Sequence, residues 1–334
     1  MIILKKNIFS DSRKVNTIFK DEQVFDVNYF PDNIHSRDTQ IKDIKYTLEP
    51  VLYNKKAQNV LIYGAPGTGK TLVTKYILNH LINYTSKVKY TYINGISENT
   101  IHAVLHKIGL IFDVFLPRRG LAVDEIITRI REGLSKSEFA PLIIIDEIDH
   151  INKGDCSSLL YELSRISENT RSFCLILITN NKNFLVDLDS KTQSSLFLTT
   201  IHFPRYSPKE LKDILKERVD YGLLNNSLSE DLLGYVAGFS AKRGGDARIG
   251  IDLLYKSAKL SEQQGFLKIT KEKLLEATKI IDSIKFSEKK EFLSEDQLNL
   301  LREIEDGVLT SDLYNKNILP ERTIRRFLSL FEKL

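Results

Sequence analysis

One eight-residue run of the sequence has the residue types and spacing that hold the phosphates of a nucleotide. The run follows the pattern G-x-x-x-x-G-K-[ST] and consists of Gly64, Ala65, Pro66, Gly67, Thr68, Gly69, Lys70 and Thr71. Its glycines allow a tight turn whose backbone N–H groups face phosphate oxygens. Lys70 is expected to reach the β- and γ-phosphates, and the Thr71 hydroxyl to bind Mg²⁺. We therefore predict that the chain binds ATP or ADP together with Mg²⁺.

A pair of carboxylates follows a second apolar run. Residues 142–145 are all apolar and predict a buried central strand, and Asp146 and Glu147 come directly after it. Ligands of open α/β sheets bind at the carboxyl ends of the strands. Asp146 is expected to support Mg²⁺, and Glu147 to orient and deprotonate the attacking water. Downstream of a phosphate loop, this ending predicts an ATP-hydrolysing site.

A third apolar run ends in an amide. Residues 174–178 predict another buried strand, and Thr179 and Asn180 follow it. Side chains leaving this strand would face the γ-phosphate, which suits a sensor of the nucleotide state. The alternative is that these residues only form a turn. Because the other two strands are present, we predict the sensor.

The elements that must position these residues are those of an α/β protein. Residues 60–63 predict the strand before the phosphate loop, and Val73, Ile77 and Leu81 recur at helical spacing after it. Two more strands are predicted at residues 90–93 and 199–203. From residue 208 onward the pattern is helical only, with Ser207, Ser229 and Thr270 at N-cap positions. We predict a parallel sheet with helices, followed by an all-α region.

Two features of the first half of the chain allow more than one interpretation. Residues 29–32 contain an aromatic pair that is either a packed N-terminal arm or a wall of an adenine pocket. His102 and His106 lie four residues apart, one turn after Glu98, which resembles a metal site. No further cluster of ligands accompanies them, so we interpret them as a solvated helix face.

The final helix has one apolar side and one basic side. Ile324, Phe327, Leu328 and Phe331 share the first, and the second carries Arg322, Arg325, Arg326 and Lys333. Pro320 suits the first turn of that helix. Two shorter helices are predicted before it, so the last fifty residues are typical of a helix-turn-helix that binds DNA. A helical hairpin or an oligomerisation helix is the alternative.

Composition sets limits on the class of protein. The 334 residues are 42% hydrophobic and 28% charged, and the net charge is +4. Nucleic-acid contacts would therefore come from local patches. Two cysteines, Cys156 and Cys174, form no disulfide framework. No run approaches the ~20 apolar residues of a membrane span, so we expect a soluble cytoplasmic protein with no membrane partner.

Taken together, these motifs resemble one family of ATPases. The phosphate loop, residues 142–149, residues 159–166 with the sequence LLYELSRI, Thr179-Asn180 and residues 245–248 occur here in family order. In that order they are similar to archaeal replication-initiator ATPases related to the eukaryotic origin recognition complex and cell-division-control initiators. Residues 29–38, with His35 and Arg37, and residues 117–125 are also similar. The resemblance covers residues 8–282 well and the C-terminal module in part.

The resemblance implies a fold, a set of roles and a set of partners. It implies a AAA+ core at residues 1–207, a helical lid at 208–283 and a DNA-binding winged helix at 284–334. Asn180 and Arg248 become the two sensors of the γ-phosphate, and Arg118 and Arg119 lie in an insertion that contacts DNA. Implied partners are double-stranded origin DNA, the MCM replicative helicase and paralogous initiators. Such proteins hold ADP tightly and hydrolyse ATP slowly.

The sequence departs from the family pattern at two points. Lys191 stands where the family usually has an arginine, and a lysine keeps the charge of a trans arginine finger without its planar fork. The sequence ends at Leu334, just after the predicted recognition helix, so we expect a truncated winged helix.

The function hypothesis is an ATP-controlled, DNA-binding replication initiator that helps to recruit or load the replicative helicase. Two alternatives stay open. One is an ADP-bound transcriptional regulator, and the other is a helicase-loader ATPase that does not read DNA sequence.

Overall fold

The computed structural model describes residues 17–53, 55, 57–117, 120–166, 173–290, 293–305, 313–314 and 319–331. The chain divides into two compact units. The larger unit contains Asp21–Leu223 and Ser229–Ile251, and the smaller contains Met1–Lys20, Leu224–Leu228 and Asp252–Leu334. Within the described part of the chain, every helix is too short or too polar to span a lipid bilayer.

A five-stranded parallel sheet forms the centre of the larger unit. The strands are β1 (Asn59–Gly64), β2 (Val88–Asn94), β3 (Ala140–Asp146), β4 (Cys174–Thr179) and β5 (Leu198–Phe203). Their order across the sheet is β2-β3-β4-β1-β5, and every neighbouring pair is parallel. The predicted parallel α/β sheet is therefore confirmed, with all strands ending at one edge.

Ten α-helices of the described chain begin in this unit. They are α1 (Asp38–Leu48), α2 (Lys70–Tyr84), α3 (Ile101–Ile111), α4 (Val123–Lys136), α5 (Lys153–Ile166), α6 (Phe184–Asp187), α7 (Ser190–Leu196), α8 (Pro208–Gly222), α9 (Glu230–Lys242) and α10 (Ala247–Gln263). Ser207 caps α8 through a capping box with Glu210, and Ser229 caps α9. Such a cap is worth about 1 kcal/mol, and both were predicted.

Side chains of the strands alternate between the two faces of the sheet, because successive residues of a strand point in opposite directions. Val60, Ile144 and Ile176 pack on one face with residues of α1 and α2. Leu61, Ile143 and Leu175 pack on the other face with residues of α3, α4 and α5. Both faces are covered, which explains why the central strands are continuous apolar runs.

Besides its helices, the smaller unit includes two short described segments that are not helical, residues 17–20 and 224–228. It contains the rest of α10, then α11 (Lys271–Lys290), α12 (Glu295–Glu305) and α13 (Glu321–Phe331). Helix α11 begins directly after Thr270, and Pro320 precedes α13 by one residue instead of lying in its first turn. The Pro320 carbonyl accepts hydrogen bonds from the N–H groups of Thr323 and Ile324. Proline costs no hydrogen bond here, because an N–H at the start of a helix has no partner within the helix.

Candidate functional site

The phosphate loop makes its turn at two glycines. Gly67 and Gly69 have φ angles of 70° and 89°, in the left-handed region that a residue with a side chain rarely adopts. Gly69 is the residue immediately before α2, so the first free N–H groups of that helix lie next to the loop. The Thr68 hydroxyl donates to the carbonyl of Ala65 at 2.8 Å and holds the loop closed. The loop therefore has the form of an anion cradle.

Lys70 is buried against this loop. Lys70 is 7% exposed, and its ammonium donates hydrogen bonds to the carbonyls of Gly64 and Ala65 at 2.9 Å each. A third hydrogen bond of 2.7 Å goes to Oδ1 of Asn180. Burial lowers the pKa of Lys70, while the nearby carboxylates of Glu147 and Asp146 oppose that shift. Its three hydrogen bonds therefore go to the last residue of β1, to the phosphate loop and to the residue that follows β4.

Asn180 connects the lysine to a carboxylate. Its amide nitrogen donates to Oε2 of Glu147 at 2.6 Å, while its amide oxygen accepts from Lys70. A continuous path therefore runs from Lys70 through Asn180 to Glu147. The structure brings together these three predicted residues, which lie far apart in the sequence.

Glu147 has an unusual backbone and an acidic neighbourhood. Its φ of 53° places a non-glycine residue in the left-handed region, a conformation that concentrates at functional sites. Burial, together with the charges of Asp146 and Asp149, raises the pKa of its carboxyl. A raised pKa makes a carboxylate a better acceptor of a proton from water.

Thr71 and Asp146 meet directly. The Thr71 hydroxyl donates to Oδ2 of Asp146 at 2.6 Å, and Oδ1 of Asp146 accepts from the backbone N–H of Glu147 at 2.9 Å. The phenol of Tyr92 also donates to Oδ2. Burial and the charge of Asp146 raise the pKa of Tyr92, so its hydroxyl stays protonated as a donor. Asp146 is 4% exposed.

This pair fits Mg²⁺ by its chemistry. Mg²⁺ takes oxygen ligands, commonly one or two from protein side chains together with phosphate oxygens and water. Thr71 and Asp146 supply a hydroxyl and a carboxylate beside the phosphate loop, at the carboxyl edge of the sheet. They are the residues that the sequence analysis assigned to the metal.

Arg37 was noticed in the sequence but given no role. It is 2% exposed, and its guanidinium donates to the carbonyls of Thr68 at 2.9 Å and Pro204 at 2.7 Å. It also lies 3.7 Å from the centre of the Tyr206 ring. Arg37 therefore ties the phosphate loop to the segment between β5 and α8. In the sequence, only its place in a stretch similar to the family indicated a role, because the two groups that it joins here are backbone carbonyls.

Arg248 lies near the phosphate loop through its neighbour Asp246. Nε and Nη2 of Arg248 donate to the two carboxylate oxygens of Asp246 at 3.1 and 2.9 Å. Hydrogen bonding to Asp246 raises the pKa of Arg248. The Asp246 carboxylate lies so close to Gly67 that a Cβ there would fall 1.7 Å from it. The predicted second sensor is thus held beside the loop by an acid that the sequence analysis did not single out.

The aromatic pair of the N-terminal segment packs against helices. The ring of Tyr29 lies 4.3 Å from the guanidinium of Arg218, and the ring of Phe30 lies 6.3 Å from that of Tyr76 on α2. These contacts are those expected of a packed arm. A role of the pair at an adenine ring stays a prediction.

The two histidines of α3 do not form a metal centre among the described residues. Among those residues, the group of three acidic and histidine side chains that could hold a metal ion lies elsewhere. It consists of Glu147, Asp149 and His150, whose ligand atoms lie within 4.8 Å of one another. His102 and His106 instead line an open cavity of about 400 Å³ that also includes Glu98 and Lys107. His102 is exposed and His106 is half-buried, and a solvated helix face stays our interpretation of them.

Comparison with known proteins shows that two stretches of the chain match protein families. Residues 53–185 match the AAA domain family, and residues 212–279 match the Cdc6 AAA+ ATPase-type lid domain. An ORC1-type DNA replication protein of Desulfurococcus amylolyticus is 31% identical over 267 residues, which are 78% of this chain and 68% of that protein. The chain belongs to the ORC1-type DNA replication protein family.

Two further ORC1-type proteins agree with this assignment. ORC1-type DNA replication protein 1 of Sulfolobus acidocaldarius is 33% identical over 75% of this chain and 64% of its own length. The chain thus spans about two thirds of the curated relatives it matches. The structure of the Aeropyrum pernix ORC1 protein in complex with DNA superimposes with a TM-score of 0.74 at 29% identity, covering 95% of this chain and 87% of that one.

The other residues that were predicted to contact DNA or a neighbouring subunit are Lys191, two arginines before α4 and three arginines of α13. Lys191 is exposed in α7. Arg118 and Arg119 lie outside the described residues. Arg322, Arg325 and Arg326 are exposed on α13, opposite the buried Ile324 and Phe327, as predicted. Arg325 pairs with Glu321 at 2.5 Å.

Proposed function

We propose that this chain is an ATP-controlled replication initiator that binds origin double-stranded DNA and helps to recruit or load the replicative helicase. The observation that carries the proposal is the joining of Lys70, Asn180 and Glu147 at the phosphate loop, in a chain that is 31% identical to an ORC1-type protein. MCM helicase and paralogous initiators are the proposed protein partners.

The proposed reaction uses this chain's residues in order. The loop N–H groups and Lys70 bind the phosphates, and Glu147 accepts a proton from the water that attacks the γ-phosphorus. The bond from the γ-phosphorus to the bridging oxygen breaks, and ADP and phosphate leave. Mg²⁺ held by Thr71 and Asp146 would neutralise charge on the phosphates. Asn180 connects Glu147 to Lys70, which supports its proposed role as the first sensor; Arg248 is the second.

We further propose that hydrolysis is slow and acts as a switch. Lys191, which replaces the expected arginine, would stabilise the transition state of a neighbouring subunit less well, because it lacks the planar fork of a guanidinium. The nucleotide state would then govern DNA and partner binding. The proposed domains are a core at residues 1–207, a lid at 208–283 and a DNA-binding module at 284–334.

The proposed DNA contacts are Arg322, Arg325 and Arg326 on α13, with Arg118 and Arg119 in the insertion. The three α13 arginines are exposed while the opposite side of the helix is buried. An exposed basic face on the last helix of a helical module is a frequent arrangement for entering a DNA groove. This surface supports the initiator over a loader that does not read DNA.

The experiment is a footprint of the purified chain on genomic DNA fragments, with ATP or with ADP, at two salt concentrations. Protection of paired repeats near a replication start, stronger with one nucleotide, is the expected result. Protection at promoters with no ATP turnover would favour the transcriptional regulator. Diffuse binding that disappears at moderate salt would reflect phosphate contacts alone, and the loader would then be preferred.

A further inference from the structure

Tyr92 lies on the strand next to the one that ends in Asp146. Strand β2 pairs with β3 in a register that aligns Tyr92 with Ile144 and Asn94 with Asp146. Paired residues of parallel strands share a face of the sheet, as do residues two positions apart. Tyr92 and Asp146 therefore lie on the same face, and helix α2, which begins at the phosphate loop, packs on that face.

The phenol completes the hydrogen bonding of one carboxylate. Oδ2 of Asp146 accepts from both Tyr92 and Thr71, and Oδ1 accepts from the backbone N–H of Glu147. The backbone contact alone would let the carboxylate rotate about its last bond. Two hydroxyl groups donate to the second oxygen, that of Tyr92 from β2 and that of Thr71 from α2, and together they fix the plane of the carboxylate.

The ring of Tyr92 is itself held in place. The ammonium of Lys75, one turn after Thr71 in α2, lies 4.9 Å from the ring centre. The ring also packs at the margin of the apolar cluster formed by the sheet and α2. A held ring gives the hydroxyl a fixed direction, which is what a positioning group needs.

We propose that Tyr92 is a positioning residue that orients the Asp146 carboxylate toward the Mg²⁺ of a bound nucleotide. The inference rests on the proposed ATPase function and adds to it a residue that touches neither nucleotide nor metal. The Thr71 hydroxyl can ligate a metal through a lone pair while its proton stays on Oδ2 of Asp146, and Tyr92 supplies the second donor to that oxygen. Partners of this kind, one step removed from the metal, typically contribute about 10- to 100-fold to metal affinity.

The test compares Tyr92→Phe with Tyr90→Phe in the full chain. Tyr90 lies two residues earlier on β2 and is 37% exposed, so its variant removes a hydroxyl from the same strand without touching Asp146. A fluorescent ADP analogue gives the affinity for nucleotide in EDTA. Titration with Mg²⁺, and with Mn²⁺ followed by electron paramagnetic resonance, gives the metal concentration at half saturation. Thermal unfolding verifies that both variants fold.

The expected result is specific to the metal. Tyr92→Phe should raise the half-saturating metal concentration by about tenfold or more and leave the metal-free ADP affinity unchanged, while Tyr90→Phe matches the wild type in both. Metal titrations that coincide for Tyr92→Phe and the wild type would overturn the proposal. So would an equal loss of metal-free affinity, which would make Tyr92 a general support of the loop. If the wild-type chain binds no nucleotide at all, the proposed function itself fails.

Discussion

The nucleotide site and the C-terminal module are built in opposite ways. At the nucleotide site the charged groups are buried, since Lys70 is 7% exposed and Asp146 is 4% exposed. Each of them makes several hydrogen bonds. On α13 the arginines are exposed and the side chains beneath them are few. Among the described residues, the buried members of that core are Leu300, Leu313, Ile324 and Phe327.

We relate this difference to what each region is proposed to recognise. A phosphate group is small, so a site for it needs donors fixed to within a fraction of an ångström. A DNA backbone presents charge along its length, and exposed arginines on a helix satisfy it with little local order. We therefore expect substitutions at the first site to act through geometry, and substitutions at the second to act through charge.

The largest expected effect comes from Glu147→Gln. The amide keeps an oxygen that accepts from Asn180, but it cannot take a proton from water. ATP turnover should fall by about 10²- to 10⁴-fold, with ATP binding retained in an equilibrium binding assay. Glu125→Gln, which removes a carboxylate from an exposed pair with Arg129, is the matched control. Unchanged turnover in Glu147→Gln would remove Glu147 from the reaction.

Lys70→Ala tests the binding half of the same site. Loss of one charged donor to phosphate should weaken nucleotide binding by roughly 10- to 100-fold, measured by calorimetry with ADP. Lys87→Ala, at an exposed lysine, should bind normally. DNA binding without nucleotide should persist in Lys70→Ala, because the two regions are proposed to act through separate contacts. Normal nucleotide affinity would contradict the site assignment.

Charge reversal on α13 tests the second region. Arg322, Arg325 and Arg326 changed together to glutamate should lower DNA affinity at least about tenfold and reduce the slope of log affinity against log salt by up to ~3. The control changes the exposed Lys42, Lys45 and Lys87 to glutamate, with the same change in net charge. Equal losses in both variants would show that overall charge, and not this helix, sets DNA affinity.

A smaller effect is expected at the acid beside the loop. Asp246→Asn removes a negative charge next to Gly67 and loosens the hold on Arg248, so ADP should bind about two- to fivefold more tightly. The gain should shrink at high salt, since Arg248 is largely exposed. Weaker binding would mean instead that Asp246 is needed to position Arg248, which the same titration would reveal.

The two cysteines should not react with a thiol reagent until the core opens. Burial raises the pKa of both Cys156 and Cys174 to about 12, and the thiolate is the reactive form. A thiol reagent at pH 8 should therefore leave the native chain unlabelled and modify both thiols in denaturant. Because no cysteine lies after Cys174 in the sequence, labelling reports on the ATPase core alone. Rapid labelling of the native chain would show that the core opens readily.

The site residues that come directly after a strand could be predicted from the sequence. Asp146, Glu147 and Asn180 come straight after apolar runs, and parallel strands must bring their ends to one edge. The spacing of apolar residues likewise predicted the five strands and the helical second half of the chain. The parallel sheet was confirmed, with the limits of its strands moved by only one or two residues.

The sequence could not reveal partners that depend on register or on backbone atoms. Tyr92 meets Asp146 because β2 aligns with β3 in one register, which no local pattern in either strand specifies. Arg37 binds carbonyl groups, and a carbonyl carries no residue identity. Asp246 contacts Gly67 across 179 positions of the chain, a contact that only the packed fold creates.

The order of the sheet also governs how the protein is made. Strand β1 lies between β4 and β5 in the sheet, so both of its neighbouring strands are synthesised long after it. For example, the side chain of Asn59 in β1 accepts a hydrogen bond from the N–H of Leu175 in β4, which lies 116 residues further along the chain. At roughly 5–20 residues per second, the ribosome needs about 6–23 s to deliver that partner. Until then the apolar β1 has neither neighbour, and the nascent chain offers a hydrophobic strand with unpaired backbone to chaperones and to other nascent chains. The phosphate loop is thus among the earliest segments of the site to be synthesised and must wait for the rest.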